Sequence, residues 1–529
     1  MNRRRFLING SGLTAGALFN LPFLPGRPAL ENAIEFPGKS KFSHRLPETD
    51  GHYLRTCGYV EDVPVAEYSW APDAAYEDFL DMKFGIRVHW GLYSLLQLQN
   101  ESWPFLTASL RERQAYQELY RAWDPVGFDA DQWMGFFKES GAKMFSFTTK
   151  HHDGFSMYDT KTRVKKRANW LSPGGPALED CDLAYSIMET PFRRDVVKEL
   201  AEAAHKENIK IDLYFSHPDW YDADFRPYTY HPLQVPDAGA LSVTGKNKTP
   251  VLEHPEKRFG KSGLVVMPDA NPESVKRMMQ RHRGQLEELI TRYGKIDMVC
   301  LDMFLGPAVW PALRETMLYL RKLRPDVMYR ARGIGNYGDY YTPEGFVPGS
   351  KENTDVPWFV IYPLGGTFSY EPAAEKYKGT KWVVHNLIDA VAKGGNFMAG
   401  IGPDGSGRFH PEAIAQLRQA GSWLKINGEG IYATRAREGD LWKQGDQIRY
   451  TRSKDNKAVY AFAFEWPGEQ LILQTVKPGR KGRVFLMGDN RALPWKHDGS
   501  RGLVIDLPAG LRENLSPAAQ IAYGFKIEI

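Results

Sequence analysis

Four apolar runs in this chain stop abruptly at residues that carry chemistry. Phe84 to Val88 breaks into His89, Trp90 and Gly91, and the run after Lys143 ends in His151, His152 and Asp153. Ile211 to Phe215 ends in Ser-His-Pro-Asp-Trp, and Ile296 to Leu301 ends at Asp302. Short apolar runs without alternation read as strands buried on both faces, the habit of a parallel sheet covered by helices. Helical periods lie between them. Val196, Val197, Leu200, Ala201 and Ala204 share one face after Asp195, and Val275, Met278, Met279, His282, Leu286, Leu289 and Ile290 share another after Asn271-Pro272. Strands alternating with helices, each strand delivering polar side chains at its end, predict an α/β fold. It is a (β/α)-barrel with its site at the strand C-termini. That arrangement implies an enzyme.

The pattern changes after Ala433. Apolar segments at 447–450, 458–464, 470–476, 483–486, 502–507 and 520–529, separated by Gly, Pro, Asn and Asp, predict a C-terminal antiparallel β-sandwich. Residues 33–75 are Pro-rich and expected to wrap the barrel as irregular chain. The long stretch between Trp220 and Asn271 follows a strand end, so it is either a rim for the site or a surface excursion. There is no internal repeat. At the N-terminus, Arg3-Arg4-Arg5-Phe6-Leu7 precedes a weakly apolar stretch broken by Asn9, Ser11 and Asn20. That stretch is too polar for a membrane span and resembles a twin-arginine export signal, implying a periplasmic or secreted protein. The expected division is an export segment over 1–30, the barrel over 31–433 and the sandwich over 434–529.

Composition narrows the classes. With 42% hydrophobic residues the 529-residue chain has a globular core, and a net charge of +4 without a basic strip predicts no nucleic-acid partner. Three cysteines, Cys57, Cys181 and Cys300, make neither a disulfide framework nor a metal cluster. Cys300 is expected to be a small core residue. His151 and His152 are adjacent on one strand, so unless a bulge intervenes they are expected on opposite faces, which argues against a shared metal ion. No metal and no cofactor are expected.

The motifs HWGLYS (89–94), KHHDGF (150–155) and the strand ending in Asp302, with 387–403 and 423–432, resemble the α-L-fucosidases of glycoside hydrolase family 29. The resemblance runs from about residue 80 to about 435. It implies a retaining exo-glycosidase that removes terminal α-L-fucose from glycans by means of two carboxyl groups about 5–5.5 Å apart. It matches Asp302 to the nucleophile, although Leu301 and Met303 replace the family's usual aromatic and glycine. Asp297 and Asp212, at the start and middle of their strands, are expected to be remote or structural. His89, His151, His152, Tyr214 and Arg332 match pocket residues, with Arg332 expected to pair with the nucleophile. Glu101 and Trp103, separated here by Ser102, resemble a sugar-binding pair, and Trp358 is expected near the pocket.

The acid is harder to place. Many members have a Glu directly after a Pro-Trp pair, where this chain has Phe359, so the acid is sought in Glu344, then Glu352, then Asp355. Two rivals stay open: a barrel acting on a related sugar such as an α-L-galactoside, given the altered loop at Phe359, and a carbohydrate-binding protein that has lost its acid. The linkage, the natural glycan and the oligomeric state are left open.

Overall fold

The computed structural model describes residue 42 and residues 44–48, 51–226, 231–234, 270–343 and 356–529, with the backbone of the short pairs Val243–Thr244 and Thr249–Pro250. Seven parallel strands form the central sheet: β1 (Phe84–Val88), β2 (Met144–Lys150), β3 (Lys210–Ser216), β4 (Met298–Asp302), β5 (Met328–Tyr329), β6 (Phe359–Pro363) and β7 (Asn396–Ile401). Their order is β6-β7-β1-β2-β3-β4-β5. Two parallel bridges, Arg330 to Tyr340 and Tyr341 to Trp358, carry the ladder from β5 back to β6. The sheet therefore meets its own edge, which removes the unpaired strand edge an open sheet would expose.

Helices cover the outside: α1 (Asp73–Met82), α2 (Ala130–Glu139), α3 (Val196–Glu207), α4 (Pro272–Thr291), α5 (Trp310–Leu323), α6 (Thr380–Ala392) and α7 (Pro411–Asn427). The two helices read from periodicity form where their caps place them. The Asp195 side chain accepts from Lys198 N–H at 3.0 Å and Asn208 ends α3 in the left-handed region. Asn271 accepts from Ser274 N–H at 2.9 Å, with Pro272 in the first turn of α4. Their apolar faces, Val196 to Ala204 and Met278 to Ile290, are buried. Each such Val or Leu contributes about 1.5–3 kcal/mol by leaving water. One expectation is corrected. Residues 51–56 form a helical turn and 73–82 form α1, so the approach to the barrel is partly helical.

The barrel's interior is polar in its middle. Asp212 accepts from Ser146 Oγ at 2.5 Å and from Tyr340 at 3.2 Å, and lies 4.0 Å from Arg87. Arg87 and Arg330 both donate to Cys300 Sγ, at 3.1 and 3.0 Å. Cys300 is buried as expected, but it is the junction of two guanidinium groups rather than plain apolar filling.

After α7 come eight short strands: β8 (Lys443–Gln444), β9 (Ile448–Arg452), β10 (Ala458–Ala463), β11 (Gln470–Leu473), β12 (Val484–Leu486), β13 (Trp495–Asp498), β14 (Gly502–Asp506) and β15 (Tyr523–Glu528). They pair antiparallel as β8-β9-β10-β15-β12 and β11-β14-β13, around a core that includes Leu473, Leu503, Ile505, Phe525 and Ile527. Sequence patterning missed β8 and β13. β13 carries Lys496, His497 and Asp498 and exists because it pairs with β14. The sandwich seats on α7, where Trp423 donates its indole N–H to Ala522 C=O at 2.8 Å.

Candidate active site

Asp302 is the last residue of β4 and is 8% exposed, so its carboxylate is reached from one side only. Arg332 donates to Oδ1 at 2.7 Å and Arg330 at 3.2 Å, while Tyr214 donates its phenolic hydroxyl to Oδ2 at 2.6 Å. Burial alone would raise the carboxyl's pKa. The charge of Arg330 and the Tyr214 hydrogen bond outweigh it and hold the group well below the usual carboxylate range. Met303, directly after it, lies in the left-handed region at φ 62°, where the family's glycine would be unstrained.

The histidines line the same mouth. His89 follows β1, and its ring lies 5.0 Å from Phe368 and 5.7 Å from Tyr214. β2 ends at Lys150 with a register shift after Thr148, so the alternation of faces stops there. His151 and His152 therefore turn to one side, their rings 4.5 Å apart, which corrects the expectation that they point to opposite faces. Ser102 Oγ lies 2.5 Å from His151 Nδ1, giving the residue between Glu101 and Trp103 a contact of its own. His152 Nε2 is 3.6 Å from Asp302 Oδ2, and the Trp103 and Trp220 rings stand 4.7 and 5.2 Å from the His152 ring. Burial lowers the pKa of all three histidines, that of His152 to about 4, so each enters the site neutral. Glu101 is buried and left-handed at φ 53°, and burial pushes its carboxyl up to about 8. Glu101 Oε1, His89 Nδ1 and both ring nitrogens of His152 have no hydrogen-bond partner among the described residues. Buried polar atoms without partners are costly, and hydroxyl groups of a sugar would satisfy them.

A buried ion network supports the β2 and β3 ends from behind. Lys150 lies 3.8 Å from Asp219, which accepts from Arg281 of α4 at 2.5 Å, and Tyr116 donates to Asp153 at 2.6 Å. Gly154 sits at φ +83°, and a β-carbon there would fall 2.1 Å from Asp219 Oδ1. The Lys, Asp and Gly of KHHDGF thus carry the histidines without facing the mouth.

Two sequence expectations change. Phe359 opens β6, and its ring lies 5.1 Å from Tyr340 and 6.0 Å from Phe79 inside the barrel at its N-terminal floor. It is not in a loop of the site, so its identity says nothing about the acid. The reason for a related-sugar rival goes with it. Trp358 precedes Phe359; its carbonyl accepts from Asn396 N–H at 3.1 Å, and its ring packs on Gly395. This is the start of β6 and β7, opposite the end that carries Asp302, so Trp358 does not reach the pocket. Glu344, Glu352 and Asp355 lie outside the described residues. Asp297, before β4, pairs with Lys210 at 3.2 Å at the floor end, as expected. Sequence reading missed Arg330, Trp220 and Phe368. Arg330 was within reach of it, because in Tyr329-Arg-Ala-Arg the strand period puts Arg330 and Arg332 on one face.

The chain is similar to known proteins over most of its length. The alpha-L-fucosidase family model matches residues 64–429, and the model of the alpha-L-fucosidase C-terminal domain matches residues 443–528. The plasma alpha-L-fucosidase of Pongo abelii is 26% identical over 446 residues, covering 81% of this chain and 85% of that protein. The alpha-L-fucosidase of Dictyostelium discoideum is 25% identical over 451 residues, with 81% and 85% covered. Among solved structures, alpha-L-fucosidase isoenzyme 1 from Paenibacillus thiaminolyticus superposes with a TM-score of 0.67 at 22% identity, over 86% of this chain and 99% of that one. A trapped covalent intermediate of the Bacteroides thetaiotaomicron GH29 alpha-L-fucosidase with 2-fluoro-fucosyl fluoride gives 0.65 at 21% identity, over 88% and 99%. Both share the fold. With a family model spanning the barrel and a second spanning the sandwich, this chain belongs to the alpha-L-fucosidase family.

Proposed function

We propose that the protein is a retaining exo-α-L-fucosidase in which Asp302 is the nucleophile. The observation that carries the reading is a strand-end carboxylate held anionic by Arg330, Arg332 and Tyr214, with one open side facing neutral histidines. A carboxyl whose pKa is forced down is suited to attack and unsuited to proton donation. It displaces the leaving oxygen at the anomeric carbon, a second carboxyl protonates that oxygen, and water then releases the sugar from Asp302. His89, His151, His152 and Glu101 offer donors and acceptors to the sugar hydroxyls, and Trp103 with Trp220 closes the wall around His152. The Bacteroides relative, trapped as a covalent intermediate, supports the two-step course.

In this reading Glu344 is the first choice of acid and Glu352 the second. The substrate is a glycan ending in L-fucose. The chain divides near residue 433 into barrel and sandwich, after an N-terminal segment of about 30 residues that exports it by the twin-arginine route. Among the described residues no helix is long and apolar enough to cross a membrane.

The test is Asp302→Asn, which keeps the volume and removes the charge. Turnover of an aryl α-L-fucoside should fall at least about 10³-fold, or roughly 4 kcal/mol in the barrier. Added azide should restore it by forming a fucosyl azide. Near-normal turnover would overturn the mechanism.

A further inference from the structure

We infer that His217, backed by His282, is a positioning residue that holds the Asp302–Arg332 pair in register. The inference rests on Asp302 being the nucleophile.

His217 follows the last residue of β3 and is fully buried. Its backbone N–H donates to the Asp302 carbonyl at 3.0 Å, and its Nε2 lies 3.1 Å from the Arg332 carbonyl. A carbonyl oxygen only accepts, so Nε2 carries the proton. In a neutral imidazole Nδ1 is then an acceptor. That nitrogen lies 3.0 Å from His282 Nε2 on α4, which must therefore donate. One carbonyl thus dictates the tautomer of two rings, stacked at 5.2 Å and 14°. Burial, reinforced by the charge of Lys150, keeps both neutral, as this pairing requires.

The fit is tight. A β-carbon at Gly333, φ +78°, would fall 2.8 Å from the His217 ring and 2.7 Å from the Met303 carbonyl. The imidazole is therefore wedged between the backbone after Asp302 and the backbone after Arg332. Those are the two segments whose side chains meet at 2.7 Å. Neither ring nitrogen of His217 is left for substrate, which excludes a general-base or ligand role. α4 packs outside the barrel, so His282 ties the aim of the nucleophile to that helix.

The test uses the full chain with an aryl α-L-fucoside. His217→Ala should lower kcat about 10²-fold, the size expected of a displaced reacting group, while KM moves by less than about threefold. His217→Gln places an amide N–H near the lost Nε2 donor and should recover most of that loss; His282→Leu should fall between. Long-range ¹H–¹⁵N spectra of the wild-type protein at neutral pH should show His217 protonated on Nε2 alone. Gln no better than Ala, or a His217 protonated on Nδ1, would overturn the inference. If His217→Ala does not fold, the Gln and His282 variants and the spectrum still decide. Retained activity in Asp302→Asn removes the nucleophile and this inference together. An inactive, azide-rescued Asp302→Asn alongside an unselective His217 series removes the inference alone.

Discussion

Tyr214 and Asp302 lie on neighbouring strands two residues out of register, and the phenol crosses that offset to donate to Oδ2 at 2.6 Å. The stagger of adjacent barrel strands makes such a diagonal contact possible.

Tyr214→Phe removes that donor and leaves the ring. A hydrogen bond to a charged group contributes about 1.5–3 kcal/mol, so kcat/KM should fall about 10- to 10²-fold. The bond favours the ionised form of Asp302, so its loss raises the carboxyl's pKa. Arg330 and Arg332 still oppose protonation, so the carboxyl stays ionised through the working range and the loss should be similar at every pH there. A kcat/KM within about twofold of wild type would show that the phenol does not act on Asp302.

Glu101 is expected to be neutral at pH 7, because burial lifts its carboxyl from 4.5 to about 8. Folding then favours the protonated form, so the folded state binds more protons than the unfolded chain between those values. Stability therefore falls as pH rises from about 4.5 to about 8. Glu101→Gln imitates the neutral acid and should escape that loss. Melting curves should show its advantage over wild type growing from pH 5 to pH 8, and a constant difference would reject the shifted carboxyl.

If Glu344 protonates the leaving group, Glu344→Ala should cut turnover of poor leaving groups about 10²- to 10⁴-fold and that of good ones far less. The basic limb of the pH profile should flatten. Equal loss on both substrate classes, or none, passes the role to Glu352 and then Asp355.

Gly154→Ala tests the support behind the histidines. The left-handed backbone and the collision with Asp219 should together cost about 2 kcal/mol or more, read as a lower denaturation midpoint. An unchanged midpoint would mean that the buried Lys150–Asp219–Arg281 network is plastic.

Much of the molecule was legible in the sequence, because burial leaves a periodic trace. The runs ending at Val88, Lys150, Ser216 and Asp302 became β1 to β4, and the faces of Val196–Ala204 and Met278–Ile290 became α3 and α4. Asp302, Tyr214, Arg332 and the three histidines stand together because strand ends in a barrel converge wherever they fall along the chain. What only the tertiary structure decided concerns which end and which side. Phe359 and Trp358 look like neighbours of the site in sequence, yet they begin a strand rather than end one, and the barrel's length separates them from Asp302. β13 is too polar to announce itself and takes its form from β14. Arg330 could have been read from its strand period with Arg332, but the role of His217 depends on hydrogen bonds between segments far apart in the chain, which no local pattern of polar and apolar residues encodes.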